Sequence, residues 1–383
     1  ELDCEVFKNI NCKNLPSLRR NIVYQFLYEL LIVFIPLFTI PYVSRVLGAE
    51  NIGLFSYTYA VANYFVLFAN LGIKNYGSRT IAMVRNNKEE LNRNFSEILS
   101  IHIIFSIIVI FVYLVLLFFF VEDNLVIFLI QSIYVFAAVF DINWFFFGIE
   151  KFKLTVGRNT LVKILSVFLV LVFVKTQTDL WIYALILALS VFVGQSVVWF
   201  ALKQYVSWRR PSWANMKQHI RPLFVLFLPI LALSLYKYMD KIMLGSISSN
   251  VQVGFYENAE KIINVPMSLI MAFGVVLMPR IANMVTSKDK GEVFKLIDMS
   301  MEAVMLLAIA ISFGLAGISF VLAPIFFGYE FEECGILIMG LAVTVPFMAF
   351  ANVIRTQYLI PYKEDKIFVV SLFLGAALNL IVN

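Results

Sequence analysis

The amino-acid sequence predicts an all-α polytopic membrane protein, on three observations. Apolar residues fill 61% of the 383 positions and charged residues only 14%. A soluble domain carries roughly half and a quarter, so lipid has to cover much of the surplus. The apolar residues gather into runs of about 20 or more, the length a helix needs to cross the hydrocarbon. Lysine and arginine concentrate in every second connection between those runs. Three cysteines, Cys4, Cys12 and Cys334, make neither a disulfide framework nor a metal cluster.

The elements follow in order. Residues 1–20 form a tail carrying Lys8, Lys13, Arg19 and Arg20. No cleavable leader is expected, because the first apolar run continues as a full span. Spans 1 and 2 cover about 21–46 and 52–73, with Lys74, Arg79, Arg85, Lys88 and Arg93 after them. Spans 3 and 4 cover about 98–121 and 125–147, parted by Glu122 and Asp123 and followed by Lys151, Lys153 and Arg158. Spans 5 and 6 cover about 159–175 and 179–202, and a basic connection at 203–221 holds Lys203, Arg209, Arg210, Lys217 and Arg221. Spans 7 and 8 cover about 222–247 and 253–278, followed by Arg280, Lys288, Lys290 and Lys295. Spans 9 and 10 cover about 301–323 and 334–354, parted by Glu330, Glu332 and Glu333 and followed by Arg355, Lys363 and Lys366. Span 11, about 366–383, is still apolar where the sequence stops.

The tail and the even-numbered connections hold 24 Lys and Arg, and the odd-numbered connections hold 2, Arg45 and Lys175. Positive charge marks the cytoplasmic side, so the N-terminus is expected inside. The basic connections read as topology signals in contact with anionic lipid, not as a nucleic-acid surface.

The chain also repeats itself at about 200 residues. Leu47-Gly48 ends span 1 and Leu244-Gly245 ends span 7; Ile52-Gly53-Leu54-Phe55 opens span 2 and Val253-Gly254-Phe255-Tyr256 opens span 8. Asn63 and Asn264 fall in register, as do Arg79 and Arg280, and a charged amphipathic stretch follows in both copies, at 88–95 and 289–296. Six spans separate the copies, so they start on the same side. Parallel repeats of this kind are a transporter signature, with the substrate path between the halves.

Several segments carry a family resemblance. TIPYVSRVLGAENIGLFSY at 39–57, NYGSR at 75–79, FFFGIEKFK at 145–153, LYKYMDKIMLG at 235–245, GFYENAEKIINVP at 254–266 and LMPRIANM at 277–284 together resemble the Wzx-type polysaccharide repeat-unit flippases. These belong to the multidrug/oligosaccharidyl-lipid/polysaccharide exporter superfamily. The resemblance implies two pseudo-symmetric six-helix lobes around a central polar cavity: an N-lobe at 21–202, a C-lobe at 222–383 that lacks its last span here, and 203–221 as the inter-lobe loop. It implies a bacterial inner-membrane protein that flips an undecaprenyl-diphosphate-linked oligosaccharide by alternating access, for capsule or O-antigen assembly, alongside a polysaccharide polymerase and export machinery.

Ionisable residues inside spans are the best pointers to a site, because a charge at the bilayer centre costs roughly 2.5–3.5 kcal/mol on insertion scales. On span 8, Glu257, Glu260, Lys261, Asn264 and Ser268 share one helical face. Span 7 carries Ser234, Lys237, Tyr238, Asp240 and Lys241; span 1 Asn21, Gln25 and Glu29; span 4 Gln131, Tyr134 and Asp141; span 5 Asn159, Lys163 and Ser166. Lys237 lies roughly 15 Å along the helix from the outer end of span 7, near the midplane. An anionic diphosphate needs fixed cations in a wet cavity, and Lys binds phosphate as a point charge. Lys237, Lys241, Lys261 and Lys163, with Asn63 and Asn264 for sugar hydroxyls, are the expected cavity residues. Glu29, Asp141, Asp240, Glu257 and Glu260 are candidates to relay a coupling proton or bind sodium. No other cofactor and no metal is expected. His102 reads as a polar residue near the start of span 3. The alternative within the superfamily is a cation-coupled multidrug exporter, which would favour acids and aromatics over lysines. A membrane enzyme is disfavoured, because no nucleophile–base spacing or metal-ligand cluster stands out.

Overall fold

The structure, a computed structural model, describes residues 15–286 and 290–382, with their side chains from Ile35 onward except those of Phe152, Lys153, Tyr236, Val275, Val276, Pro279, Thr286, Lys290 and Asp365. Among the described residues every regular element is helical. The α-helices are α1 (Leu15–Asn70), α2 (Ile73–Val84), α3 (Lys88–Phe120), α4 (Leu125–Val139), α5 (Asn143–Gly148), α6 (Phe152–Phe173), α7 (Leu180–Leu202), α8 (Trp213–Ser234), α9 (Asp240–Ile247), α10 (Asn250–Thr286), α11 (Lys290–Phe327), α12 (Cys334–Ala342), α13 (Thr344–Val353) and α14 (Asp365–Val382). A π-helical turn, Leu235–Met239, joins α8 to α9, and a second, Ile354–Leu359, follows α13.

Among the described residues eight helical stretches are long and apolar enough to cross a membrane, and one of them, Ile35–Val84, contains expected span 2 and the later part of expected span 1. The two expected spans outside that set also fall on helices: α10, interrupted by Glu257, Glu260 and Lys261, and the shorter apolar Lys366–Val382. The outer faces are what lipid requires. Phe118, Phe119 and Phe120 are 82%, 71% and 76% exposed, Phe313 77% and Phe347 72%, a display no water-soluble monomer sustains. The protein is a multi-pass helical membrane protein.

Local chemistry moves several expected boundaries. Spans 1 and 2 form one helical run turned at Gly48, whose φ of 78° and ψ of 171° a side chain would not tolerate. The stretch at 88–95 is the opening of α3, because Asn87 caps it by accepting from the amides of Glu89 and Glu90 at 3.1 and 3.3 Å. Those two acids also face the positive end of the helix dipole. Its counterpart continues into α11 from Lys290, while Lys288 and Asp289 lie outside the described residues. Of the expected loop at 203–221, residues from Trp213 on are already helix. Span 4 is broken at 140–142, where the Asp141 carboxylate accepts from the Asn143 amide at 3.0 Å and its side-chain Nδ2 at 2.7 Å, a local bond that competes with the helix ladder. His102 is not at a helix start: α3 begins at Lys88, about four turns earlier, and the ring is fully buried.

Two of the packed regions bear on the site. At one end α2, α3, α5, α7 and α8 close over Trp144, Phe145 and Phe146. Glycine is required beneath that layer, since a Cβ on Gly77 would stand 2.5 Å from the Trp144 ring. At the other end the turn of α1 packs on the start of α10. There the repeated motifs meet each other. A Cβ on Gly53 would lie 1.6 Å from the Asn250 carbonyl oxygen, and one on Gly254 2.1 Å from that of Ala49. The Glu330 carboxylate accepts from the Ala49 amide at 2.9 Å, and Arg45 donates to the Ile325 carbonyl at 2.6 Å.

Candidate functional site

The site grows from polar positions spaced for one helix face. On α6, Asn159, Lys163 and Ser166 lie at successive turns; on α10, Glu257 and Lys261 do the same. With α1, α4 and α7 these faces line two adjoining, partly open cavities of about 270 and 500 Å³. The cavities share Phe55, Ser56, Lys163, Ser166, Tyr183, Leu187 and Lys261.

One wall is aromatic. Tyr59 and Tyr134 meet edge to face with ring centroids 5.1 Å apart, as do Phe55 and Tyr183 at 4.9 Å. The other walls are charged. Lys241 on α9 reaches Glu257 at 2.5 Å and Glu260 at 2.7 Å, and Lys261 reaches Glu257 at 3.1 Å. Two cations and two acids therefore form one continuous, internally balanced chain. Asp240 accepts from the Tyr256 hydroxyl at 2.9 Å beside it. Lys163 faces the same space without a carboxylate partner among the described residues. Below it, the Arg158 guanidinium donates to the Gly194 carbonyl at 2.7 Å, to Asn143 Oδ1 at 3.0 Å and to Asn159. Asn143 in turn donates to Gln195 Oε1 at 2.8 Å and to Asp141.

The expected residues thus separate into groups. Lys261, Glu257 and Lys163 line the cavities. Glu260 stands behind them in the ion chain, and Lys241 is buried there instead of lying on the wall, because two acids hold its ammonium. Lys237 is exposed on the π-helical turn, its ammonium 5.4 Å from the centroid of the Tyr238 ring. Asn264 is exposed one turn beyond Lys261. Asn63 spends its amide on the Tyr59 carbonyl at 2.8 Å. Asp141 sits at the break in span 4. The side chain of Glu29 lies outside the described residues. Sequence reasoning missed Arg158, which counted only as a loop charge, and it missed Gln195 and, of the tyrosine wall, Tyr59 and Tyr183, whereas Tyr134 stood on the span 4 stripe; the four-residue step from Tyr59 to Asn63 was the available signal for Tyr59. No group of three or more His, Cys, Asp or Glu arranged to hold a metal ion occurs among the described residues.

Apolar helices long enough to cross a membrane, grouped around partly open cavities that carry charged side chains, define a class: multi-pass helical membrane proteins with a polar interior. Within it, the chain belongs to the polysaccharide biosynthesis protein family, which it matches over residues 18–285. It is 26% identical over 372 residues to a protein of Escherichia coli (strain K12) named "Putative O-antigen transporter", covering 95% of this chain and 89% of that one. A protein of the same name from Shigella dysenteriae is 24% identical over 379 residues, with 95% and 91% covered. The fold matches a solved structure of a multidrug resistance MATE family transporter of the MOP superfamily, in its inward-facing conformation. The TM-score is 0.68 at 14% identity, covering 91% of this chain and 87% of that one.

Proposed function

We propose that this protein is a transporter, not an enzyme, and that it flips undecaprenyl-diphosphate-linked oligosaccharide repeat units across the cytoplasmic membrane of a bacterium for capsule or O-antigen-type polysaccharide. The observation that carries this reading is the chamber, whose lining includes the cations Lys163 and Lys261 together with Tyr59, Tyr134 and Tyr183. The cations lower the cost of bringing a diphosphate into low dielectric. The tyrosine faces offer flat apolar platforms for sugar rings, and their hydroxyls offer hydrogen bonds to sugar hydroxyls. Transporter relatives and the family match support the same reading.

The mechanism in this proposal is alternating access between an N-lobe at 21–202 and a C-lobe at 222–383, linked by 203–221, with the N-terminus in the cytoplasm. The interlocked glycines then seal the outer end. In this reading Glu257 and Glu260, with Asp240 nearby, exchange a proton or sodium ion against cargo: an ion taken up by Glu257 releases Lys261 from its carboxylate partner and leaves Lys241 on Glu260 alone. Membrane lipids surround the protein, and the polysaccharide polymerase and export machinery consume its product.

A second reading, a cation-coupled multidrug exporter, is favoured by one observation: the aromatic wall stands beside Glu257, and aromatic faces with an acid suit an organic cation. The ion pairs weigh against it, since both lysines already neutralise that acid. Deleting the gene separates the readings. Accumulation of lipid-linked oligosaccharide in the cytoplasmic leaflet with loss of surface polysaccharide supports the flippase, whereas intact polysaccharide with raised drug sensitivity overturns it.

A further inference from the structure

A second pocket, of about 630 Å³, lies away from the chamber where α2, α3 and α8 meet. Three guanidinium side chains border it from three different helices: Arg79 from α2, Arg93 from α3 and Arg221 from α8. Arg93 lies only at the outer limit of ion pairing with Glu90, at 4.0 Å, and no ion pair engages Arg79 or Arg221 among the described residues. The floor is built from buried groups. His219 Nε2 lies 2.9 Å from the Glu97 carboxylate, and His219 Nδ1 lies 2.6 Å from the Tyr76 hydroxyl. Both His219 and Glu97 are almost fully buried. With Nε2–H donating to Glu97, Nδ1 accepts from Tyr76, so one hydrogen-bonded chain ties α3, α8 and α2 together beneath the three exposed arginines. Besides the polar Thr80, Asn94 and Gln218, the lining has an apolar flank, with Met83 69% and Val225 59% exposed beside Pro222 and Leu226.

We infer that this pocket binds the phosphate of an anionic lipid headgroup, with the acyl chains lying along Met83, Pro222 and Val225. Arginine forks bind phosphate oxygens bidentately, and the apolar flank continues the site toward the lipid. This goes beyond the general attraction of basic segments to anionic lipid, which depends on charge and not on fork geometry. It does not rest on the proposed cargo, because none of its residues lines the chamber.

Substituting lysine tests the difference, since it keeps every charge and removes the fork. The measurement is native mass spectrometry of the full chain in detergent with added phosphatidylglycerol, phosphatidylcholine or inorganic phosphate. The wild type should retain phosphatidylglycerol and not phosphatidylcholine. The Arg79→Lys/Arg221→Lys double variant should lose about tenfold in retention, and Arg210→Lys, which does not line this pocket, should lose none. A monodisperse size-exclusion profile and unchanged thermal unfolding establish that the double variant is folded; Arg221→Gln alone provides a second, milder test and should also weaken retention. Equal retention in wild type and the folded double variant would reduce the effect to surface charge and overturn the site. Equal retention of phosphatidylcholine overturns the requirement for an anionic headgroup. Complete displacement of phosphatidylglycerol by millimolar inorganic phosphate would make it a free-phosphate site and overturn the lipid assignment.

Discussion

Removing the Lys241 ammonium would leave Glu257 sharing one remaining cation and Glu260 with none of its present ion partners. Breaking a buried ion pair from one side costs about 3–5 kcal/mol, and the partial exposure of these groups argues for the lower end. Lys241→Ala should therefore lower the thermal unfolding midpoint clearly in detergent. Lys163→Ala should leave that midpoint within the scatter of surface changes, because no carboxylate among the described residues depends on it, yet cut transport at least about tenfold; Lys163→Arg should keep part of it. The two lysines look alike in sequence. The helical stripe of Glu257, Glu260 and Lys261 is legible from offsets along one helix. Lys241 differs because its partners lie on a neighbouring helix, and only packing shows that it faces them. Arg158 was hidden for a related reason: it sits among basic loop residues, and its tertiary partners Gly194 and Asn143 cannot be read from local spacing.

At the scale of elements, the glycines of the repeat explain a backbone contact. Each leaves room for the other copy's carbonyl, and Gly53→Leu would drive a side chain into Asn250. The seal at that end should then fail to close. In a background without the native cysteines, a cysteine at Ser44, buried beside the smaller cavity, should react faster with a membrane-impermeant thiol reagent added from outside. Unchanged labelling would show that the interlock is not a seal. The repeat itself was visible in the sequence, but not that its two copies touch. The Glu97–His219–Tyr76 chain was not visible at all, because its members are 76, 97 and 219 and no period links them. His219→Leu leaves a buried carboxylate unpaired and should destabilise strongly. Adding Glu97→Leu should recover much of that loss, since removing both partners of a buried pair is close to neutral. A double variant no more stable than the single, read by thermal unfolding, would rule out the pair as the cause.

For the whole molecule, composition and the lengths of the apolar runs carried the fold class, because lipid imposes helices on any chain that must satisfy its backbone within hydrocarbon. They could not reveal which polar faces meet. The chamber depends on α1, α4, α6, α7 and α10 converging, and such tertiary choices leave little trace in hydropathy. The central claim is that this chamber carries an anionic, lipid-linked glycan between leaflets. It is tested most directly in proteoliposomes holding a fluorescent undecaprenyl-diphosphate oligosaccharide, by following how fast the label in one leaflet becomes accessible from the other side. The wild-type chain should speed that exchange well above protein-free vesicles, and Lys163→Ala/Lys261→Ala should return it close to background. Exchange no faster than in empty vesicles, or full activity in the folded double variant, would contradict the account.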